Sequence, residues 1–306
     1  MEWAERGRRL VIWAAVMWAL AAAAVVLRLI SRGRILRVLG PTDCLIVLTL
    51  AFSLVNTIAI GFHVAHGLGH RIADLGWDEI RVFFQVMYYE VIANMLSLSL
   101  TKISVLLLFL DIFVVSWVRR VAYILLVVAT LCGLFTLLTN ILYCIPVSAF
   151  WDFTIVDRRC IAVPLKYYID ASLNLALDFA ILFLPLPVIW PMTLPWRQKL
   201  WLYSIFALGF FICIISVLRF HFINISLLTS DPTYTGIYLI YWSMMEINVA
   251  IIIACVPTLK PLVVRLCPRL LNTRRSCESD EPDGSPHPPT ISSPPRQPLS
   301  PEMRHF

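Results

Sequence analysis

The chain has 306 residues, of which 59% are apolar and 14% charged, with a net charge of +6 and a mean hydropathy of +0.81. Soluble domains run near 45–50% apolar and about 25% charged. These values exclude a disordered chain, a nucleic-acid-binding domain and an ordinary soluble enzyme, and they point to a polytopic, all-α membrane protein. The positive charge lies largely in short loops beside apolar runs, as membrane topology requires.

A helix needs about 20 mainly apolar residues to cross about 30 Å of hydrocarbon. Seven stretches meet that requirement, near 10–30, 43–65, 83–110, 121–144, 167–190, 200–224 and 236–257. They predict a short N-terminal segment over 1–9, a seven-helix bundle over 10–265 and a tail over 272–306. A cleaved signal peptide is the rival reading of 1–30. Against it stand the length of the apolar run and the lack of a small-residue cleavage site.

Basic residues set the expected orientation. Arg32, Arg34 and Arg37 follow the first span, Arg119 and Arg120 lie in the third loop, and Arg197 and Lys199 in the fifth. The alternate loops carry Asp74, Asp78, Glu79, Asp152, Asp157 and Asp231. This asymmetry puts the N-terminus outside and the C-terminus in the cytoplasm, although Arg6, Arg8 and Arg9 oppose it. Eight of the 35 residues in 272–306 are Pro, with few bulky apolar residues, so the tail is expected to be disordered. Ser285, Ser293 and Ser300 each precede Pro there and are candidate phosphorylation sites.

Ionisable residues at membrane depth are costly and tend to face a bundle interior. In the third span Glu90, Asn94, Ser97, Thr101 and Ser104 share one helical face, with Lys102 about a third of a turn away. Asp170, Asn174 and Asp178 follow one another at i, i+4 and i+8 in the fifth. Arg219 lies toward the outer end of the sixth span, and Trp242 and Glu246 are one turn apart in the seventh. Glu90, Asn94, Lys102, Asn174, Asp178, Arg219, Trp242 and Glu246 are therefore candidates for a polar cavity walled by spans three, five, six and seven. A structural network that only orients helices is the competing reading, each contact worth about 0.6–2 kcal/mol.

Cys144 and Cys160 flank the outer fourth loop and are expected to form a disulfide worth about 3 kcal/mol in the chain-entropy model. Cys267 and Cys277 are juxtamembrane and open to palmitoylation. The sequon Asn224-Ile225-Ser226 is a glycosylation candidate lying hard against a span. His63, His66 and His70 are near one another, but a glycine-rich turn offers no fixed metal geometry. Nothing resembles a nucleotide loop, a nucleophile elbow or a zinc-protease helix. No cofactor or metal is expected. Residues 236–257 contain no lysine, which argues against a retinal Schiff base.

The motifs occur in a recognisable order: Gly40-Pro41-Thr42-Asp43, Gly67-Leu68-Gly69-His70, Thr101-Lys102-Ile103-Ser104, Cys144-Ile145-Pro146, Trp151-Asp152 and Cys160. Asn174, Asp178, Pro185, Pro187, Trp190, Arg197-Gln198-Lys199, Gly209, Arg219, Trp242, Glu246, Asn248 and Pro257-Thr258-Leu259-Lys260-Pro261 complete the set. Over roughly residues 20–265 the chain resembles the fungal rhodopsin-domain family of seven-helix integral membrane proteins, the satratoxin-cluster type. It departs from that pattern at Asp43-Cys44, where the family has paired acids, and at Asp111, where a basic residue is expected. The resemblance implies a fungal membrane protein that is receptor-like or tied to secondary-metabolite gene clusters.

Three functions follow as expectations. The first is a non-enzymatic receptor for a small molecule, signalling to a cytoplasmic partner through inner loops and tail. The second is an accessory protein or carrier in a biosynthetic pathway. The third is a membrane enzyme using a buried carboxylic acid such as Glu90 or Glu246. The expected partners are the lipid bilayer and an unidentified ligand, with the plasma membrane the preferred location.

Overall fold

The computed structural model describes residues 2–66, 68, 76–112, 115–189, 196–228 and 232–266. The expected tail, with Ser285, Ser293 and Ser300, lies outside them, as do Cys267, Cys277, His70 and Trp190. The chain forms α1 (Glu2–Ile30), α2 (Pro41–Ala65), α3 (Trp77–Ile112), α4 (Ser116–Ile141), α5 (Val163–Phe183), a four-residue α6 (Leu186–Ile189), α7 (Trp196–Leu228) and α8 (Pro232–Leu266). Strands β1 (Cys144–Ile145) and β2 (Arg159–Cys160) pair antiparallel in the loop after α4.

Six of these helices, all but α5 and α6, are long and apolar enough to cross a bilayer. At 21 residues α5 has the length, but Lys166, Asp170 and Asp178 make it more polar. It also stops before 190, where the apolar run alone would carry it. Pro185 lacks the N–H that a further turn requires, although Leu184 before it still has helical backbone angles. The chain therefore turns at Leu184-Pro185 into α6.

Around the bundle the main contacts run α1–α2–α3–α4, then α5, α7 and α8, with α8 returning to α1. Both α3 and α8 also meet across the centre, and they are the most buried of the six apolar helices, α8 at 56% of its most apolar stretch against 17% for α4. One core cluster joins Ala21, Val25, Ile46, Leu98, Ile247 and Ile251 from four helices. The outer faces are also apolar: Ile124, Val127, Leu131 and Leu138 of α4 are each more than half exposed. Lipid accepts such a surface without cost. Close approach depends on small residues, as at Gly133, where an added Cβ would lie 3.0 Å from Ser99 Oγ.

Arg32, expected in the loop after the first span, turns into the bundle beside Arg28 of α1. Beyond Ile30 the chain continues as a π-helical turn over Ser31–Leu36. Arg28, fully buried, donates from Nε to Asp43 Oδ1 (3.0 Å) and from Nη1 to the Ala254 carbonyl (2.7 Å). Arg32 Nη1 donates to Thr42 Oγ1 at 2.6 Å and lies 3.2 Å from Asp43 Oδ1. Asp43 Oδ2 also accepts the Gly40 N–H at 3.0 Å, capping α2. Ser31 Oγ donates to the Thr258 carbonyl at 2.8 Å. Arg28, shared between the Asp43 carboxylate and the Ala254 carbonyl, thus clamps α1, α2 and α8 together. Asp43→Leu strands a buried guanidinium and is expected to destabilise the protein by about 3–5 kcal/mol. Detergent unfolding midpoints measure this; an unchanged midpoint would mean that Arg28 is hydrated.

Candidate functional site

Four charged residues meet in the middle of the bundle, one from each of α3, α5, α7 and α8. Lys102 Nζ donates to the Asn174 carbonyl and to Asn174 Oδ1, both at 2.7 Å, and lies 3.1 Å from Asp178 Oδ1. Asp178 Oδ2 accepts from Ser216 Oγ at 2.9 Å and from Asn174 Nδ2 at 3.3 Å. Those same donors reach Glu246 Oε1, Asn174 Nδ2 at 2.6 Å and Ser216 Oγ at 3.1 Å. Glu246 Oε2 then accepts from Arg219 Nη1 at 3.0 Å. The result is a continuous chain, Lys102–Asp178–Asn174/Ser216–Glu246–Arg219, with two formal positive and two formal negative groups. Its sequence basis is helical spacing: Asn174 and Asp178 are i, i+4 on α5, and Ser216 and Arg219 are i, i+3 on α7.

The remaining α3 polar residues divide by direction. Ser97 and Ser104 stitch α3 to α2, donating to the Thr49 (3.3 Å) and Thr42 (3.2 Å) carbonyls. Glu90 and Asn94 instead line a separate cavity of about 590 Å³ at the end of the bundle that carries the β1–β2 loop. Its walls include Phe83, Phe84, Met87, Val91 and Phe150, with His63, Glu90, Asn94, Tyr143, Arg158, Tyr167, Arg219, Ser226 and Ser243 as residues with polar groups. His63 Nε2 lies 2.7 Å from Glu90 Oε2 without hydrogen-bond geometry. Four buried atoms of its lining residues have no hydrogen-bond partner: His63 Nδ1 and Nε2, Asn94 Oδ1 and Arg219 Nε. Arg219 thus belongs to both the cavity wall and the charge chain. A smaller cavity of about 100 Å³ lies against Lys102, Asp178 and Glu246.

Trp242 is apart from both. It packs in the cluster around Met17, Ile215, Val249 and Ile253, stacked on Phe222 with centroids 6.0 Å apart. Asn224 lies within α7, its Oδ1 accepting from the Tyr168 hydroxyl at 2.6 Å. Among the described residues, no group of three or more His, Cys, Asp or Glu is placed to hold a metal. Sequence reasoning missed two contacts of this region. One is the His63–Glu90 pair. The other is the Lys166–Asp170–Asn140 cluster, where Lys166 Nζ reaches Asp170 Oδ2 at 2.6 Å and Asn140 Oδ1 at 2.8 Å. The i, i+4 spacing of Lys166 and Asp170 was the available signal.

The loop over the cavity is covalently closed. Cys144 and Cys160 form a disulfide and face each other in the β1–β2 register. Both line the cavity, with Ala149, Phe150 and Phe153 between them. Asp152 accepts from the Thr154 hydroxyl (2.6 Å) and backbone N–H (3.2 Å), and Arg81 Nη2 donates to it at 3.0 Å, tying the loop to α3. The Thr154 hydroxyl and N–H, aided by the Arg81 charge, hold the Asp152 carboxyl below its ordinary range.

A ring of long apolar helices with its charges paired inside and its apolar side chains outside defines a polytopic helical membrane protein. The chain belongs to the fungal rhodopsin domain family, which matches residues 27–265. It is 28% identical over 198 residues to a SAT4 family membrane protein of Emericella nidulans, covering 63% of this chain and 50% of that one. It is 28% identical over 276 residues to the polyenoic acids biosynthesis gene cluster protein Ba17b of Metarhizium anisopliae, covering 85% and 75%. It is 23% identical over 265 residues to the receptor GIN3 of Arthrobotrys oligospora, covering 86% and 64%. The chain therefore spans half of the Emericella protein's length and just under two thirds of the Arthrobotrys one. No solved structure matches.

Glu246→Leu leaves Arg219 buried without its carboxylate and is expected to destabilise the protein by about 3–5 kcal/mol, much of it recovered in the Arg219→Leu double variant. A double-mutant cycle on unfolding midpoints reads the coupling; additive losses would show that the pair does not interact. Cys144→Ser with Cys160→Ser is expected to cost about 3 kcal/mol. The check is whether reducing agent lowers the melting temperature of the native protein but not of the double variant.

Proposed function

We propose that this chain is a receptor-like, non-photoactive membrane protein that binds a small, mainly apolar molecule in the cavity beneath the disulfide loop. The observation that carries this reading is the cavity itself. Its volume falls within the range of small-molecule sites, and its wall is apolar with a few converging polar groups. Arg219 gives a physical route from occupant to bundle, because a ligand touching it competes with Glu246 and so biases a chain that joins four helices. A ligand acts only through different affinities for two arrangements, and the Arg219–Glu246 pair is where those arrangements would differ. The likeness to the receptor GIN3 supports a receptor role.

Seven crossings fit this reading. Lys166 and Asp170 neutralise each other, as do Lys102 and Asp178, which lowers the cost of placing α5 in hydrocarbon. In this reading the N-terminus and the disulfide loop lie outside and the C-terminus in the cytoplasm, an orientation that the basic loops support. The plasma membrane is the location such a receptor requires, and a cytoplasmic partner would contact the basic inner loops and tail.

Filling the cavity tests the binding. In a screen of apolar metabolites, a ligand should slow amide exchange in the inner loops of the wild type and lose that effect in Val91→Trp. Effects that persist in Val91→Trp would place binding elsewhere.

The likeness to the cluster protein Ba17b favours a second reading, an accessory protein or carrier for a hydrophobic product. Uptake into reconstituted vesicles distinguishes it: a carrier moves substrate, with a pH dependence altered by Asp178→Asn, and a receptor does not.

A further inference from the structure

Between Asp178 of α5 and Glu246 of α8 there are fewer hydrogen atoms than contacts. Asp178 Oδ2 lies 2.9 Å from Ser216 Oγ and 3.3 Å from Asn174 Nδ2. Glu246 Oε1 lies 3.1 Å and 2.6 Å from the same two atoms. A serine hydroxyl carries one hydrogen and an amide NH₂ group two. Asn174 Oδ1 accepts from Lys102 Nζ at 2.7 Å, which fixes the amide with its NH₂ group toward the acids. Four contacts thus share three hydrogens, and with both acids ionised one contact has none. A proton on either acid fills it.

The neighbours decide which acid takes the proton. Glu246 faces Arg219, whose guanidinium keeps its charge and sends Nη1 to Glu246 Oε2 at 3.0 Å. A neutral Glu246 would leave that charge buried and uncompensated. Lys102 depends less on Asp178, because its Nζ also donates to the Asn174 carbonyl and Oδ1, both at 2.7 Å. Access points the same way. The Asp178 side chain keeps 9% of its surface exposed and that of Glu246 1%. Asp178 and Lys102 line the small cavity and not the large one. Its volume of about 100 Å³ exceeds the roughly 10–15 Å³ that a water needs. The Cys213 thiol of α7 also reaches Asp178 electrostatically. The charged residues of α4, which packs on α5, are Arg119 and Arg120, both exposed near its start.

We propose that Asp178 is a proton-binding site served by water in the small cavity, its carboxyl O–H donating to Ser216 Oγ while the Ser216 hydroxyl donates to the Glu246 carboxylate. The proton comes from hydronium, which becomes water, and no other bond is made or broken. Uptake turns Ser216 from a donor that two acids compete for into a one-way link from Asp178 to Glu246. Glu246 in turn holds Arg219, a wall residue of the large cavity, so the link makes that wall responsive to pH. The assignment stands whatever the large cavity holds.

The test is infrared spectroscopy of the full chain in lipid nanodiscs, following carboxylic acid C=O absorption that shifts in D₂O. At neutral pH, where exposed carboxyls are ionised, the wild type should show one such band, absent in Asp178→Asn. The band should fade as the medium is made alkaline. In Ser216→Ala the protonated form loses two hydrogen bonds and the ionised form one. Half of the band should therefore be lost at a proton concentration about fivefold higher than in the wild type, the factor that one net hydrogen bond supplies. Ser216→Thr keeps the hydroxyl and should restore the wild-type midpoint. A neutral-pH band that survives Asp178→Asn places the proton on another acid and overturns the assignment. So does the lack of any such band in the folded wild type. An unchanged midpoint in Ser216→Ala overturns the link to Glu246.

Discussion

Moving an unpaired guanidinium, ammonium or carboxylate into hydrocarbon costs several kcal/mol, so each one must meet an opposite charge or abundant hydrogen-bond partners before the helices can settle. Five buried contacts meet that demand here. Arg28 and Arg32 share Asp43, Lys166 meets Asp170, Lys102 meets Asp178, and Arg219 meets Glu246. Between them they join α1, α2, α3, α5, α7 and α8. Because both lipid and core are apolar, contact area alone does not decide which face of a helix turns inward. The charged residues decide it, and the apolar packing then fills around them.

The same physics explains what could be read from the amino-acid order. Long apolar runs identify helices because length against bilayer thickness is a one-dimensional property. Facing is harder to read. In a soluble helix the apolar stripe marks the core, but in α4 the outward Ile124, Val127 and Leu131 are as apolar as anything inside. Only scattered polar positions carry direction, and each has several possible neighbours. The grouping of Lys102, Asn174, Asp178, Arg219 and Glu246 was legible from their depth and helical spacing. The division of the α3 stripe was not, since it depends on where α2 and α5 lie. Nor was the placement of Trp242 among Met17 and Ile215, or of Arg28 within the bundle. A basic residue at the end of an apolar run looks the same whether it reaches water or turns inward to an acid on the next helix.

Function concentrates where this constraint is incompletely met. The inner charge chain leaves few loose ends, whereas residues lining the larger cavity carry four buried atoms without a hydrogen-bond partner, two of them on His63. Arg219 belongs to both, with Nη1 committed to Glu246 and Nε open. A second, smaller space lies against Lys102, Asp178 and Glu246. The charges therefore form a partition with a void on either side, an arrangement in which moving one side chain changes the surroundings of both voids. The disulfide-closed loop, tied to α3 through Arg81 and Asp152, adds a fixed roof to the larger void.

The Asp43 clamp also bears on how the chain is made. Arg28 leaves the ribosome only 15 residues before Asp43, but 226 residues before Ala254. At about 5–20 residues per second, the second interval lasts roughly ten to forty-five seconds. During that wait Asp43 is already within reach of Arg28, so α1 and α2 can neutralise each other before α8 is made. When α8 docks, its Ala254 carbonyl completes the shell around a guanidinium already paired with Asp43.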